Sequence, residues 1–131
     1  NIKVDVHCPA SIYVNSYPGA FSQVITNLIL NSLLHAYEDE ENGLITIDIE
    51  EDADEIKIIY KDDGKGISEE NMSKIYEPFF TTKRSEGGSG LGMHIIYNIV
   101  VSNLYGRISC ESKEGDGVNF TIYMKKDLNN I

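Results

Sequence analysis

Ile45-Thr46-Ile47-Asp48-Ile49-Glu50 and, after the turn residues Asp52–Glu55, Ile56-Lys57-Ile58-Ile59-Tyr60 decide the fold class of this chain. In the first stretch isoleucine alternates with polar residues, the period-two pattern of a strand with one buried face. The second returns after a short acidic turn, so the two form a hairpin. Another hairpin lies near the other end of the chain. Arg107–Ser112 is its first strand and Glu114–Gly117 its turn. Val118, Phe120, Ile122 and Met124 then alternate with Asn119, Thr121, Tyr123 and Lys125. Two hairpins call for a mixed, mainly antiparallel sheet.

Outward from the hairpins, Ile2–Val6 alternates as a strand and Ser11–Val14 suits a second short one. Pro18 fits the first turn of a helix. From about Ala20 to Tyr37, Phe21, Val24, Ile25, Leu28, Ile29 and Leu33 recur at three- and four-residue steps, a helical stripe. Ser68 with Asn71 and Met72 opens a short helix that ends near Tyr76, before Pro78. Residues 79–90 are a glycine-rich loop without periodicity, and Leu91–Leu104 reads as an apolar helix stopped by Tyr105-Gly106. The tail after Lys126 is polar and expected to fray. The helices suffice to cover one face of the sheet, which predicts an α/β two-layer sandwich and a single domain over residues 1–131, without repeats or linkers.

Bulk properties narrow the partners. The 131 residues suit one domain, and 41% hydrophobic with 24% charged residues is ordinary for a globular chain. The formal net charge of −10 argues against a nucleic-acid surface, which must neutralise phosphates with basic residues, and against adhesion to anionic membranes. A nucleotide is still permitted, because a local pocket of backbone amides with one metal ion offsets a distant negative surface. The two cysteines, Cys8 and Cys110, are too few for a disulfide framework and read as reduced packing residues of a cytosolic domain.

Three segments carry chemistry. Asn27, Asn31 and His35 are spaced by four along an otherwise apolar helix, so they share one stripe. Such a stripe suits an exposed polar face, and equally a ligand or hydrated metal, since an asparagine carbonyl is a hard donor suited to Mg²⁺. Asp62-Asp63-Gly64-Lys65-Gly66-Ile67 follows a strand directly. It reads as a plain turn, or as a carboxylate that accepts a hydrogen bond from an exocyclic amine, with glycines admitting close backbone approach. Gly87-Gly88-Ser89-Gly90-Leu91-Gly92 runs into a helix, with Lys83 and Arg84 upstream. It is a flexible connection, or an anion site of exposed amides that two cations can reach. It lacks the Gly-Lys-Ser/Thr of a P-loop and the placement of a Rossmann fingerprint.

Together these segments resemble the catalytic ATP-binding domain of sensor histidine kinases. Asn27–His35 is similar to the asparagine box of that family and Asp62–Gly66 to its first glycine box. Tyr76-Glu77-Pro78-Phe79-Phe80-Thr81-Thr82-Lys83 is similar to its phenylalanine box, and Gly88–Gly92 to its second glycine box. Order and spacing agree from about residue 2 to residue 125. The resemblance implies the Bergerat-type sandwich shared with gyrase, mismatch-repair and chaperone ATPases, with ATP and Mg²⁺ as cofactors. It implies that Asn31 offers its oxygen to Mg²⁺, with Asn27 and His35 on the same wall. Asp62 would bind the adenine amino group, helped by Thr121, while Gly64 and Gly66 admit the base. Ile67, Ile75 and Met93 would line the adenine slot. Residues 79–90 would form a mobile lid. Gly88, Gly90, Leu91 and Gly92 would supply its hinge and amides to the phosphates, and Lys83 and Arg84 are the local cations for the terminal phosphate.

Hydrolysing members of the wider superfamily carry a glutamate where this chain has Asn27. An amide is a poor general base, so phosphoryl transfer is favoured over hydrolysis. Leu34 stands where a lysine is common, and Ser32 where alanine is frequent. No residue here resembles the phosphorylated histidine; His7 and His94 read as structural. The resemblance therefore implies a piece of a longer kinase. Its partners would be a phosphoacceptor helical domain of the same, dimeric parent and a response regulator downstream. The domain would be cytoplasmic, without direct membrane contact, even if the parent is membrane-anchored. A serine kinase of the anti-sigma-factor type is the alternative. It shares a similar helix end, here His35-Ala36-Tyr37, but usually keeps the glutamate that Asn27 replaces.

Overall fold

The computed structural model describes residues 1–9, 12–37, 42–77 and 92–129. Five strands form one sheet: β1 (Ile2–His7), β2 (Gly43–Glu51), β3 (Glu55–Asp62), β4 (Arg107–Ser112) and β5 (Val118–Lys125). Their spatial order is β1-β2-β3-β5-β4. Only β1–β2 is parallel, because helix α1 (Pro18–Asn31) crosses between them; β2–β3, β3–β5 and β4–β5 are antiparallel. Short helix α2 (Glu69–Met72) follows β3, and α3 (Gly92–Asn98) precedes β4. The sandwich read from the hairpins is thus the observed one, a mixed sheet with its helices on one side.

Alternation sets which side is covered. Ile45 and Ile47 of β2, Ile56, Ile58 and Tyr60 of β3, and Val118, Phe120, Ile122 and Met124 of β5 are buried in one core with Val24 and Leu28 of α1 and Ile96 of α3. The opposite face carries the other residues of each strand. There the Arg107 guanidinium lies 4.0 Å from the centre of the Tyr123 ring and bonds Glu55 at 2.8 Å. Both are partly exposed, so the pair adds little stability.

Both long helices end in wider π turns, Ser32–Ala36 after α1 and Ile99–Asn103 after α3. Along α1 the buried positions run Val24, Leu28, Ser32 and Ala36, a strict four-residue step. Leu33, expected in the apolar stripe, is 46% exposed, while Ser32 is 4% exposed in its place. Leu28 and Ala36 flank a buried hydroxyl, and the reason appears at the site.

Other departures are local. No strand forms over Ile12–Val14; Asn15 instead makes an isolated bridge to Asp127. The tail does not fray at Lys126, because Leu128 N–H bonds the Asn15 carbonyl at 2.8 Å and Lys126 N–H bonds that of Asp54 at 3.0 Å. Ser68 caps α2 as its spacing suggested, accepting from Asn71 N–H at 3.2 Å. Cys8 is exposed rather than packed, whereas burial pushes the Cys110 thiol up to about 12.

The β4–β5 hairpin is fastened to the end of β3 by backbone contact. Gly117 has φ +74, and a Cβ there would stand 2.1 Å from the Asp62 carbonyl oxygen. Gly115 has φ +88 but nothing within 4 Å of its would-be Cβ. Gly117→Ala is therefore expected to cost about 3 kcal/mol in urea unfolding, strain plus overlap, and Gly115→Ala about 1 kcal/mol, strain alone. Equal losses would show that the contact with Asp62 contributes nothing.

Candidate nucleotide site

Asp62 is the last residue of β3 and falls on its core-facing side, in step with Ile56, Ile58 and Tyr60. It is 8% exposed, so its polar atoms need partners. Oδ1 accepts the backbone N–H of Gly64 at 3.1 Å and of Val118 at 3.2 Å. Oδ2 accepts the Ser32 hydroxyl at 2.7 Å. A carboxylate offers about four acceptor positions. Three are filled by described residues, leaving one on Oδ2 for a donor from outside.

Ser32 reaches Asp62 because it sits on the buried stripe of α1. Its Oγ is also 2.6 Å from Tyr60 Oη, which lies 3.0 Å from the Leu28 carbonyl. Tyr60 is fully buried, and that burial pushes its hydroxyl well above the usual phenol range, so it stays a donor. Neither Ser32 nor Tyr60 was singled out as functional from sequence. The signal was available: the Val24, Leu28 step lands next on Ser32, and Tyr60 lies two residues before Asp62 on the same strand face.

Asp63, on the other side of the strand, has a structural task. Its Oδ1 accepts Leu44 N–H and the Tyr37 hydroxyl, each at 2.8 Å. These bonds, led by that from Leu44, hold its carboxyl below the usual carboxylate range.

Asn27, Asn31 and His35 are half-buried on α1 and its π turn. Asn31 Nδ2 is buried and has no hydrogen-bond partner among the described residues. A Cβ on Gly92, the first residue of α3, would stand 2.9 Å from Asn31 Oδ1. The glycine thus lets α3 begin against the asparagine side chain. A half-turn of the amide presents its oxygen to the same space. Asn31 and Asp62 are tied through Ser32, the neighbour of one and the bonding partner of the other.

Gly64 and Gly66 have partners of their own. A Cβ on Gly64 would lie 2.4 Å from the Ala36 carbonyl oxygen, and one on Gly66, at φ +75, 2.0 Å from that of Lys113. Both glycines seat the loop against the protein's own backbone, a reason sequence alone did not supply. Ile75 is in the core, with Ile67 and Met93 packed against it. Ile67 N–H bonds Ser112 Oγ at 2.8 Å.

Thr121 is not brought to Asp62. It pairs with Ile59 and Ser109 and points to the helix-free face, whereas Val118 is the residue of β5 opposite Asp62. Strand alternation from Phe120 and Ile122 excludes it. Lys83, Arg84, Gly88, Gly90 and Leu91 lie outside the described residues, as does the loop over residues 79–90 to which the lid was assigned. His7 bonds Asp48 across β1–β2 at 2.9 Å. His94 Nδ1 lies 3.3 Å from the Tyr76 carbonyl, and Asn98 Nδ2 lies 3.2 Å from His94 Nε2. Both histidines are engaged in tertiary contacts.

Among the described residues no group of three or more His, Cys, Asp or Glu could hold a metal ion. A divalent ion at Asn31 would therefore rely on one protein oxygen and otherwise on phosphate and water, the usual manner of Mg²⁺ at nucleotides. None of the described helices is long and apolar enough to cross a membrane. A cleft lined by residues including Tyr13, Asp54 and Lys126 opens at the far end of β3 and β5, away from Asp62.

A buried carboxylate thus stands at a strand end, and the covering helix carries an asparagine whose Nδ2 has no hydrogen-bond partner among the described residues. Residues 17–128 match the family described as histidine kinase-, DNA gyrase B- and HSP90-like ATPase. The solved catalytic domain of histidine kinase ThkA, in a nucleotide-free form, superposes with a TM-score of 0.80 at 31% identity, covering 96% of this chain and 81% of that one. The chain belongs to this ATPase family, as a catalytic domain of the histidine kinase kind. It is 38% identical over 117 residues to the sensor histidine kinase ZraS of Klebsiella oxytoca, covering 88% of this chain and 24% of that protein. Sporulation kinase A of Bacillus subtilis is 37% identical over 116 residues, covering 88% and 18%. The chain thus spans a quarter or less of these relatives.

Proposed function

We propose that this domain binds Mg²⁺-ATP between α1 and the β3 end of the sheet and passes the γ-phosphoryl group to a histidine on a separate helical domain of the same parent. The observation that carries the reading is the buried Asp62 carboxylate, fixed by three donors with one acceptor position to spare. That position matches the exocyclic amine of adenine, which a carboxylate accepts and a 6-oxo purine cannot offer. Asn31 would hold the metal, since its buried Nδ2 lacks a partner among the described residues and the one carboxylate of the pocket, Asp62, is held by Gly64, Val118 and Ser32. When bound, Mg²⁺ neutralises charge developing on the phosphates. Asn27 cannot take a proton from water, so the chain's own residues position ATP without activating a competing nucleophile. His35 completes this wall, and Gly92 brings the α3 amides close to it. Lys83, Arg84, Gly88, Gly90 and Leu91 are assigned to the phosphate end by sequence, and Ile67, Ile75 and Met93 to the sides of the base; Thr121 is left out.

The chain would then be one domain of a longer, dimeric cytoplasmic or membrane-anchored kinase that feeds a response regulator. The test is calorimetric titration with ATP and Mg²⁺, followed by radiolabel transfer to the parent's own histidine-bearing hairpin supplied in trans. Micromolar binding and acid-labile, alkali-stable label on the hairpin are expected. Absence of binding overturns the whole reading. Label on serine, or steady ADP release without an acceptor, overturns the assignment of histidine transfer.

A further inference from the structure

The buried contacts around Asp62 include two hydroxyls that a simple adenine-binding carboxylate does not need. Ser32 Oγ stands 2.7 Å from Asp62 Oδ2 and 2.6 Å from Tyr60 Oη. Proton bookkeeping fixes the direction of this chain. Ser32 Oγ donates to Asp62 Oδ2, so its single proton lies on that bond. Two oxygens at 2.6 Å need a proton between them, so the Tyr60 proton lies on the bond to Ser32. The Leu28 carbonyl, 3.0 Å from Tyr60 Oη, is a second acceptor for the single Tyr60 proton, but it already shares the Ser32 backbone N–H with Ile29, and the 2.6 Å contact to Ser32 is the shorter. The result is a directed relay, Tyr60 to Ser32 to Asp62, in which each bond polarises the next.

We propose that Ser32, oriented by Tyr60, is a positioning residue that fixes the plane of the Asp62 carboxylate and so sets discrimination between 6-amino and 6-oxo purine nucleotides. The inference rests on the reading that Asp62 meets the base. Oδ1 is anchored by two backbone amides, yet anchors on Oδ1 alone leave Oδ2 free to swing about the side-chain bond. The Ser32 hydroxyl removes that freedom. It also occupies one of the two acceptor positions on Oδ2, so a single donor from the ligand is accepted along one direction. Alanine, frequent in the family at this position, can do neither. Ser32 therefore tunes selectivity in this chain rather than enabling binding outright.

The experiment is a double-mutant cycle on the whole domain, Ser32→Ala, Tyr60→Phe and both together, reading the affinities of ATP and ITP by titration alongside urea unfolding. Ser32→Ala is expected to lower the ATP-to-ITP affinity ratio roughly tenfold, the scale of one hydrogen bond to a charged group. Tyr60→Phe should lower it less, and adding it to Ser32→Ala should lower it no further, because the relay is already cut. A merely structural role would weaken both nucleotides equally and leave the ratio unchanged, which overturns the proposal. Strict additivity of the two changes overturns the relay. If Asp62→Asn leaves the ratio of the parent domain intact, the reading of Asp62 itself has failed, and that result is distinct from either.

Discussion

Asp62→Asn is expected to weaken ATP and ADP alike by about 100-fold or more while the domain stays folded. The introduced amide keeps an oxygen where Oδ1 accepts Gly64 and Val118 N–H. Its NH₂ group replaces Oδ2, and the Ser32 hydroxyl, a donor there now, turns to accept from it. The Ser32 proton then turns to Tyr60 Oη, whose own proton goes to the Leu28 carbonyl, so the local network survives with its order of donors reversed. What changes is the face shown to the base: a donor now meets the adenine amine, itself a donor, and a purine donor is left desolvated without a partner. ITP, with an oxygen at that position, should lose far less or gain. Equal loss of ADP and ATP separates this effect from one at the phosphates. Calorimetric titration with the three nucleotides and a thermal melt check it. Unchanged ATP affinity would remove Asp62 from the purine.

Asn31→Ala is expected to split stability from activity in opposite directions. The buried Nδ2 has no partner among the described residues, and an unsatisfied amide costs folding energy. Alanine removes that cost and is a better helix former, so stability should hold or rise by about 1 kcal/mol in urea unfolding. Phosphoryl transfer to a supplied hairpin should fall by about 100-fold, because the one protein oxygen for the metal is gone. The affinity for Mg²⁺-free ADP should stay near that of the parent domain. A destabilised variant with normal transfer would show that Asn31 is an ordinary packing residue. The expected pattern is that of a side chain kept for chemistry at the expense of the fold.

The sheet was legible where a strand's period runs unbroken, and contacts made by distant elements were not. Ile45, Ile47 and Ile49, and Val118 through Met124, announced their faces because a strand repeats every two residues. The same rule excluded Thr121 from the pocket, had it been applied from Phe120. Leu33 went astray because α1 gives way to a π turn at Ser32, which a period of 3.6 does not describe. Ser32 was read as a small residue, since nothing local in the sequence reveals that Tyr60 and Asp62 arrive from across the sheet to meet it. Asp62 and Asn31 were legible as candidates, because a carboxylate at a strand end and an amide on an apolar helix are anomalies in any single sequence. Gly64 and Gly66 were legible as necessary, but one reason for them was not: the Ala36 and Lys113 carbonyls, brought from distant elements, are what a side chain would strike.

The order β1-β2-β3-β5-β4 places the last strand of the chain between two that precede it. During synthesis, the hydrogen-bonding edge of β3 that β5 covers therefore waits bare until residues 118–125 emerge, and Asp62 waits with it for the Val118 amide. A domain interrupted before Val118 would hold a sticky, unfinished sheet and an Asp62 carboxylate short of one donor. On the function proposed above, competence for nucleotide would thus arrive late and together with the fold, leaving no half-built intermediate able to capture ATP.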